Sequence, residues 1–229
     1  MAAVVLYHVY LIMKSVGLII FDLDGTLVNT LEDIAASVNF TLNQLGRSPL
    51  TEDAVRQYVG DGIETLMLRS LGGKSQNISE AVNIYKGHHR ANLVVRSRLY
   101  PTVAETLYYF RMIPKAVVSN KTMEFIVPLL EDLGIEGYFK LVIGADYGLP
   151  LKPAPDAVLK ILADFKTPKQ GAVIVGDGTT DVRAGKAAGI MTCSVTYGFR
   201  SVEELQKAGP DYMINKLADL KELFRPEPR

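Results

Sequence analysis

Residues 16–26 read VGLIIF-DLDGT, a short apolar run that ends abruptly in two acids, a glycine and a threonine. A run this short and this apolar, closed by turn-forming residues, predicts a buried parallel strand with polar groups at its carboxyl end. Two further stretches have the same form. Residues 116–119 (AVVS) lead into Asn120 and Lys121, and residues 172–176 (AVIVG) lead into Asp177, with Asp181 four residues later. Weaker runs at 141–144, 191–196 and 212–214 bring the expected sheet to five or six strands. Helical patterns lie between them. In 122–133 the apolar residues Ile126, Leu129, Leu130 and Leu133 recur at three and four, with Pro128 expected to kink or end the helix locally. Strands alternating with helices predict an α/β fold with a doubly wound, mostly parallel sheet.

One interval departs from this rhythm. From Thr30 to about Arg98 only helical patterns are found. Leu31, Ile34, Ala35, Val38, Leu42 and Leu45 mark one amphipathic helix; 51–58 (with Thr51 as N-cap), 63–71 and 79–94 mark others. A simple crossover between parallel strands needs about a dozen residues, far fewer than this interval holds. The expected organisation is therefore an apolar tail over residues 1–14, an α/β core over 15–29 and 99–229, and a helical subdomain over 30–98 inserted after the first strand.

Composition narrows the function classes. The chain has 229 residues, of which 48% are hydrophobic and 22% charged, enough for a substantial core and unlike a disordered chain. Lys+Arg 25 balances Asp+Glu 25, so no basic excess exists to neutralise phosphates along a nucleic acid. The single cysteine, Cys193, has no internal partner and no zinc-ligand neighbours; it is expected to pack in a strand, and a reducing cytoplasm fits. Residues 1–13 (MAAVVLYHVYLIM) are apolar except for one His. A membrane span needs roughly 20 apolar residues, so no membrane anchor is expected. The segment reads as a tail packed on the domain, or as residues ahead of a natural start at Met13. Such a tail could serve a dimer interface, and a monomer or homodimer is expected.

Three apolar strands ending in reactive residues carry the chemistry. In open α/β sheets ligands bind at the carboxyl ends of the strands, where Asp22, Asp24, Ser119, Asp177 and Asp181 would converge. Lys152, in the loop sequence KPAPD (152–156), could reach the same edge. Clustered carboxylates repel one another unless a cation shares the site, and a hard divalent ion such as Mg²⁺ suits oxygen ligands. The Asp22-x-Asp24 spacing suits a nucleophilic carboxylate toward phosphorus with a second carboxyl to protonate the leaving oxygen and then activate water. Thr26 and Ser119 offer hydroxyls to phosphate oxygens, and Lys152 offers positive charge.

FDLDGTLVNT, the strand ending Ser119-Asn120, KPAPD and VGDGTTD together resemble the four ordered motifs of the haloacid dehalogenase (HAD) superfamily, spanning Phe21 to Asp181. Tyr100-Pro101 and the VTYGF of 195–199 are similar to its phosphoglycolate phosphatase-like branch, whose helical cap is inserted between the first two motifs. The resemblance implies a Rossmann-like core and a Mg²⁺-dependent phosphatase acting on a small phosphorylated metabolite. By motif position it implies Asp22 as nucleophile and Asp24 as general acid/base. Asp22, the main-chain carbonyl of Asp24, and Asp177 would hold the metal, with Asp181 in support. Thr26, Ser119 and Asn120 would bind the phosphoryl group, and Lys152 would steady nucleophile and phosphate. Three positions depart from the family's usual residues: Asn29 for Asp, Thr102 for Gly, and Gly178 for Ser or Thr.

Several readings share this core. A β-phosphoglucomutase-like mutase uses the same acids, and a pyrophosphatase or nucleotidase would suit the fold. Dehalogenase chemistry is disfavoured by Asp24, as is phosphonate hydrolysis, for which Lys74 and Lys86 are the lysines available in the insertion. A binding or regulatory protein with a vestigial site is the reading from another class. In the insertion, Gly60-Asp61-Gly62 joins two predicted helices, either as an ordinary loop or, with Gly62, facing substrate. Arg56, Arg69, Arg90 and Arg96 are candidates for a second anionic group. His88 and His89 are expected to be surface or internally satisfied residues.

Overall fold

The computed structural model describes residues 13–73 and 78–227. Six strands form one all-parallel sheet: β2 (Leu18–Phe21), β5 (Lys115–Val118), β6 (Leu141–Ile143), β7 (Ala172–Gly176), β8 (Met191–Val195) and β9 (Tyr212–Ile214), in the order β6-β5-β2-β7-β8-β9. The chain builds outward from β2 to one side and then to the other, which makes the sheet doubly wound and puts β2 at the reversal of strand order. Side chains alternate as the pleat requires. Ile19, Phe21, Val117, Val173, Val175 and Cys193 belong to the larger core cluster on one face. Leu18, Ile20, Ala116, Val118 and Ile174 belong to the cluster on the other. Burial on both faces explains why β2 and β7 read as unbroken apolar runs.

The first run is not one strand. It breaks at Gly17 into β1 (Lys14–Val16) and β2, and β1 pairs with the late strand β10 (Phe224–Pro226) rather than with the main sheet. Lys14, expected in the tail, thus opens a strand against Phe224. Expectations for residues 1–12 and for Lys74 fall outside the described residues.

Among the described residues, four helices occupy the interval after β2: α1 (Leu31–Gln44), α2 (Glu52–Tyr58), α3 (Ile63–Ser70) and α4 (Ile78–Ala91). Thr51 caps α2, its side chain accepting from the Ala54 amide. Two pairs of residues flank them, β3 (Val28–Asn29) and β4 (Arg98–Leu99), which join as an antiparallel ribbon where the chain leaves and re-enters the core. Segments this short carry no sequence periodicity. Buried Asp33 on α1 ties the return: its carboxylate accepts from the amides of Val95, Arg96 and Ser97 and from the Ser97 hydroxyl. The core resumes with α5 (Val103–Tyr109). It continues through α6 (Met123–Asp132), α7 (Asp156–Asp164), α8 (Thr179–Ala188), α9 (Val202–Ala208) and the short α10 (Leu220–Leu223). Pro128 lies inside α6, and the helix does not end there. Among the described residues no helix is long and apolar enough to cross a membrane.

Candidate active site

Phe21 lies opposite Val117 on β5 and Val175 on β7, so these adjacent strands finish nearly level. Asp22, the polar residues 119–121 and Asp177 therefore emerge on one edge. They line a cavity of about 690 Å³ whose other wall comes from the helical insertion, including Gly60, Asp61, Gly62, Arg69, Tyr85 and His89.

Lys152 is the centre of the charge arrangement. Its buried ammonium donates to Asp22 Oδ1 at 2.8 Å, to Asp181 Oδ1 at 2.6 Å and to the Val118 carbonyl at 2.7 Å. Asp181 Oδ2 accepts from the Gly178 amide at the start of α8. Asp177 accepts from the Phe199 amide at 2.7 Å and from the Thr26 hydroxyl at 3.2 Å. Backbone crowds Asp177 closely: a Cβ on Gly25 would lie 2.3 Å from its Oδ2, and one on Gly198 2.2 Å from its Cβ. Only glycine fits at either position.

Asp22, Asp177 and Asp181 each bring an oxygen within 4.8 Å of the others. Burial raises Asp22 well above the usual carboxylate range; Lys152 pulls it back, while Asp181 and Asp177 push it further up. Asp177 is raised to about 6, by burial and then by Asp181, against the Phe199 and Thr26 hydrogen bonds. Burial disfavours the Lys152 charge, but Asp181 and Asp22 outweigh it and the ammonium is held above its ordinary range. Three carboxylates face one ammonium, so the trio is short of positive charge. The deficit and the all-oxygen donor set fit a hard divalent cation such as Mg²⁺.

Several expected roles meet a different geometry. Thr26 does not reach the cavity: it is fully buried, and its hydroxyl is committed to Asp177. Asn120 lines the cavity, but its amide donates to the carbonyls of Gly60 and Lys152 and its Oδ1 accepts from the Lys152 amide. Both N–H donors are thus used in clamping the Lys152 loop and holding the insertion. The Asp24 carboxylate stands outside the acidic trio and accepts from Thr30 at 2.8 Å and from Lys121 at 3.1 and 3.2 Å. Ser119 lines the cavity, its Oγ accepting from the Lys121 amide. Gly62 lies in the wall, where an added Cβ would sit 3.5 Å from Leu151.

Of the four arginine candidates, only Arg69 lines the cavity, tied to Asp61 at 2.7 Å. Arg56 pairs with Glu52 and Asp53, Arg90 pairs with Glu124, and Arg96 is exposed. Lys86, the other lysine weighed for the insertion, pairs with Glu124 at 2.9 Å. His89 corrects the expectation of a surface or satisfied residue: it is 1% exposed, lines the cavity, and its Nε2 has no partner. Lys121 and Arg200 were not singled out. Lys121 follows Ser119-Asn120 and gave a positional clue. Arg200 gave none, yet it donates to the Arg56 and Val59 carbonyls of the insertion.

A doubly wound sheet with acids, a lysine and a serine at its carboxyl edge, faced by an inserted helical wall, defines a hydrolase core of known type. Residues 19–195 match the family model described as haloacid dehalogenase-like hydrolase, and the chain belongs to that family. The chain is similar to a phosphoglycolate phosphatase of Aquifex aeolicus, 36% identical over 208 residues, covering 90% of this chain and 95% of that one. A phosphoglycolate phosphatase of Pseudomonas putida is 33% identical, covering 89% of this chain and 78% of that one. The crystal structure of a predicted phosphoglycolate phosphatase from Haemophilus somnus superposes with a TM-score of 0.87 at 29% identity, covering 92% of this chain and 98% of that one. The chain is an enzyme of the phosphatase class, in the phosphoglycolate phosphatase-like branch.

Proposed function

We propose that the enzyme hydrolyses a small phosphomonoester, phosphoglycolate-like or a sugar phosphate, through a phosphoaspartyl intermediate on Asp22. The observation that carries this reading is the Lys152 ammonium 2.8 Å from Asp22 Oδ1, in a buried acidic trio with Ser119 beside it. The Asp22 carboxylate forms a bond to phosphorus as the ester P–O bond breaks, and Asp24 gives a proton to the departing oxygen. Asp24 then takes a proton from water, which attacks phosphorus; the Asp22–phosphorus link breaks and inorganic phosphate leaves. Thr30 and Lys121 hold Asp24 in place for both transfers, and Lys152 neutralises charge on Asp22 and the phosphoryl oxygens. Ser119 donates its hydroxyl to the phosphoryl group, while Thr26 acts through Asp177. Asp22 and Asp177, the Asp24 carbonyl and, in support, Asp181 would hold Mg²⁺, which when bound supplies positive charge to the phosphoryl oxygens.

Residues 30–98 act in this reading as a cap that opens to admit substrate and closes to exclude water. Arg200, Asn120 and the Glu124 pair with Lys86 support it, because all link insertion to core. A single buried cysteine, Cys193, suits a cytoplasmic enzyme.

The test is phosphate release from a panel of small phosphoesters, with Mg²⁺ or EDTA and with Asp22→Asn as the control. Metal-dependent release that falls at least about 10³-fold in the folded variant is expected. Full activity in Asp22→Asn would overturn the reading. Transfer of phosphate within a sugar, with none released, would favour a mutase.

A further inference from the structure

His89 is the one cavity-lining side chain, among the described residues, with a buried polar atom left without a partner. Its ring is fixed on two sides, stacked on Tyr85 at 5.1 Å and edge-on to Phe125 at 4.9 Å. Its Nδ1 lies 3.1 Å from Ser37 Oγ. The neighbouring His88 Nδ1 lies 3.1 Å from the same oxygen, and Ser37 donates its only proton to the Asp33 carbonyl at 2.9 Å. With its proton given to Asp33, Ser37 Oγ accepts from the imidazoles, and each then donates its Nδ1–H. His89 is then Nδ1-protonated, and Nε2 carries a lone pair. Burial, and then the charges of Lys121 and His88, push its pKa down to about 2, so the ring stays neutral. A buried acceptor in a ligand cavity costs free energy until a donor reaches it.

The position of His89 says which part of a ligand meets it. On the reading above, on which this inference rests, the ester oxygen leaves at Asp24. Lys121 bonds Asp24, and both line the same cavity as His89 and Tyr85, which stacks on it. The organic group beyond the leaving oxygen therefore points toward Tyr85 and His89. We propose that His89 Nε2 accepts a hydrogen bond from a hydroxyl on that organic group, making His89 a specificity-determining residue that selects a hydroxyl-bearing phosphoester over a carboxylate-bearing one. A carboxylate there would set acceptor against acceptor. The free end of phosphoglycolate is such a carboxylate, so the proposal separates this chain's preference from the substrate in its relatives' names.

The test uses three non-hydrolysable probes of matched length, titrated calorimetrically in Mg²⁺: 3-hydroxypropylphosphonate, propylphosphonate and 3-phosphonopropionate. The hydroxyl probe is expected to bind about tenfold more tightly than the methyl probe, with the carboxylate probe weakest. His89→Phe should bring the hydroxyl and methyl probes together while leaving propylphosphonate within about twofold; His89→Met serves if the first variant does not fold. Nitrogen-15 spectra should show an Nδ1-protonated His89 whose Nε2 signal moves with the hydroxyl probe alone. Tightest binding of the carboxylate probe, or an unchanged hydroxyl-to-methyl ratio in the variant, would overturn the proposal. These readouts need no turnover: the expected ranking without phosphate release from any ester would sink the hydrolytic reading and keep His89. Release without the ranking would do the reverse. Binding of none of the probes would overturn the proposal, and the hydrolytic reading as well only if no ester releases phosphate.

Discussion

At the sheet edge, Asp22, Ser119 and Asp177 are each the first residue after a buried parallel strand. Across the cavity, Gln57, Arg69 and His89 each sit on a separate helix of the insertion. The first set is held by backbone that has no freedom: both faces of each strand are packed, and neighbouring strands finish level. The second set faces the cavity only because α2, α3 and α4 pack with particular rotations about their axes. A rigid edge supplies reaction chemistry, and a packed helical wall supplies selection. Residues at the first should therefore control turnover, and residues at the second stability or substrate choice.

The largest expected departure is at the edge. Lys152→Met removes the ammonium that bridges Asp22 and Asp181, leaving buried like charges unpaired. Phosphate release should fall at least about 10²-fold, and metal-free stability by about 3–5 kcal/mol, read by denaturant titration in EDTA. Near-normal turnover would mean that the edge is not the reaction centre. Asp33→Ala strikes the insertion instead, stranding three amides and the Ser97 hydroxyl. Its expected cost is about 2–4 kcal/mol, with turnover per folded molecule changed by less than about tenfold. If turnover collapses while stability holds, the division of labour between the two regions fails.

Proton and metal should compete at the edge. The folded-state pKa of Asp177, about 6, lies above its ordinary value of 3.8. Its stabilisation is thus complete below that lower value and is lost as pH rises through about 6; Asp22 shifts in the same direction. In EDTA the melting temperature should drop by several degrees across that window, and saturating Mg²⁺ should flatten the drop. An identical slope with and without Mg²⁺ would argue against a cation at the trio. The smallest effect is expected at a residue that does not line the cavity. Thr102 holds φ 69 in the left-handed region, while its hydroxyl accepts from the Ala218 amide. Thr102→Gly relieves the strain but loses the bond, so stability should change by less than about 1 kcal/mol.

Much of this molecule was legible in advance, for reasons specific to particular residues. The six-stranded sheet followed from apolar runs such as 172–176, because a strand buried on both faces is mostly apolar. Four helices in the insertion followed from three-and-four spacing and from Thr51 as a cap. The two-residue ribbon of β3 and β4 did not, since two residues have no period, and the break at Gly17 did not, since only Val16 of β1 belongs to the apolar run. Pro128 was expected to disturb α6 and sits inside it.

The sequence by itself determined the order of the acids, serine and lysine along the strand ends, because a parallel sheet turns chain order into a shared edge. It also determined the helical pattern of α1 to α4 after the first core strand. Only the tertiary structure decided which of those groups remain available. Thr26 and Asn120 have the right chemistry for a phosphoryl group but spend it on Asp177, Gly60 and Lys152. His89 looks like an ordinary helical histidine until Ser37, Tyr85 and Phe125 close around it. Hydrogen-bond capacity is a local property of a residue type, whereas its use depends on neighbours that are distant in sequence and are set by packing.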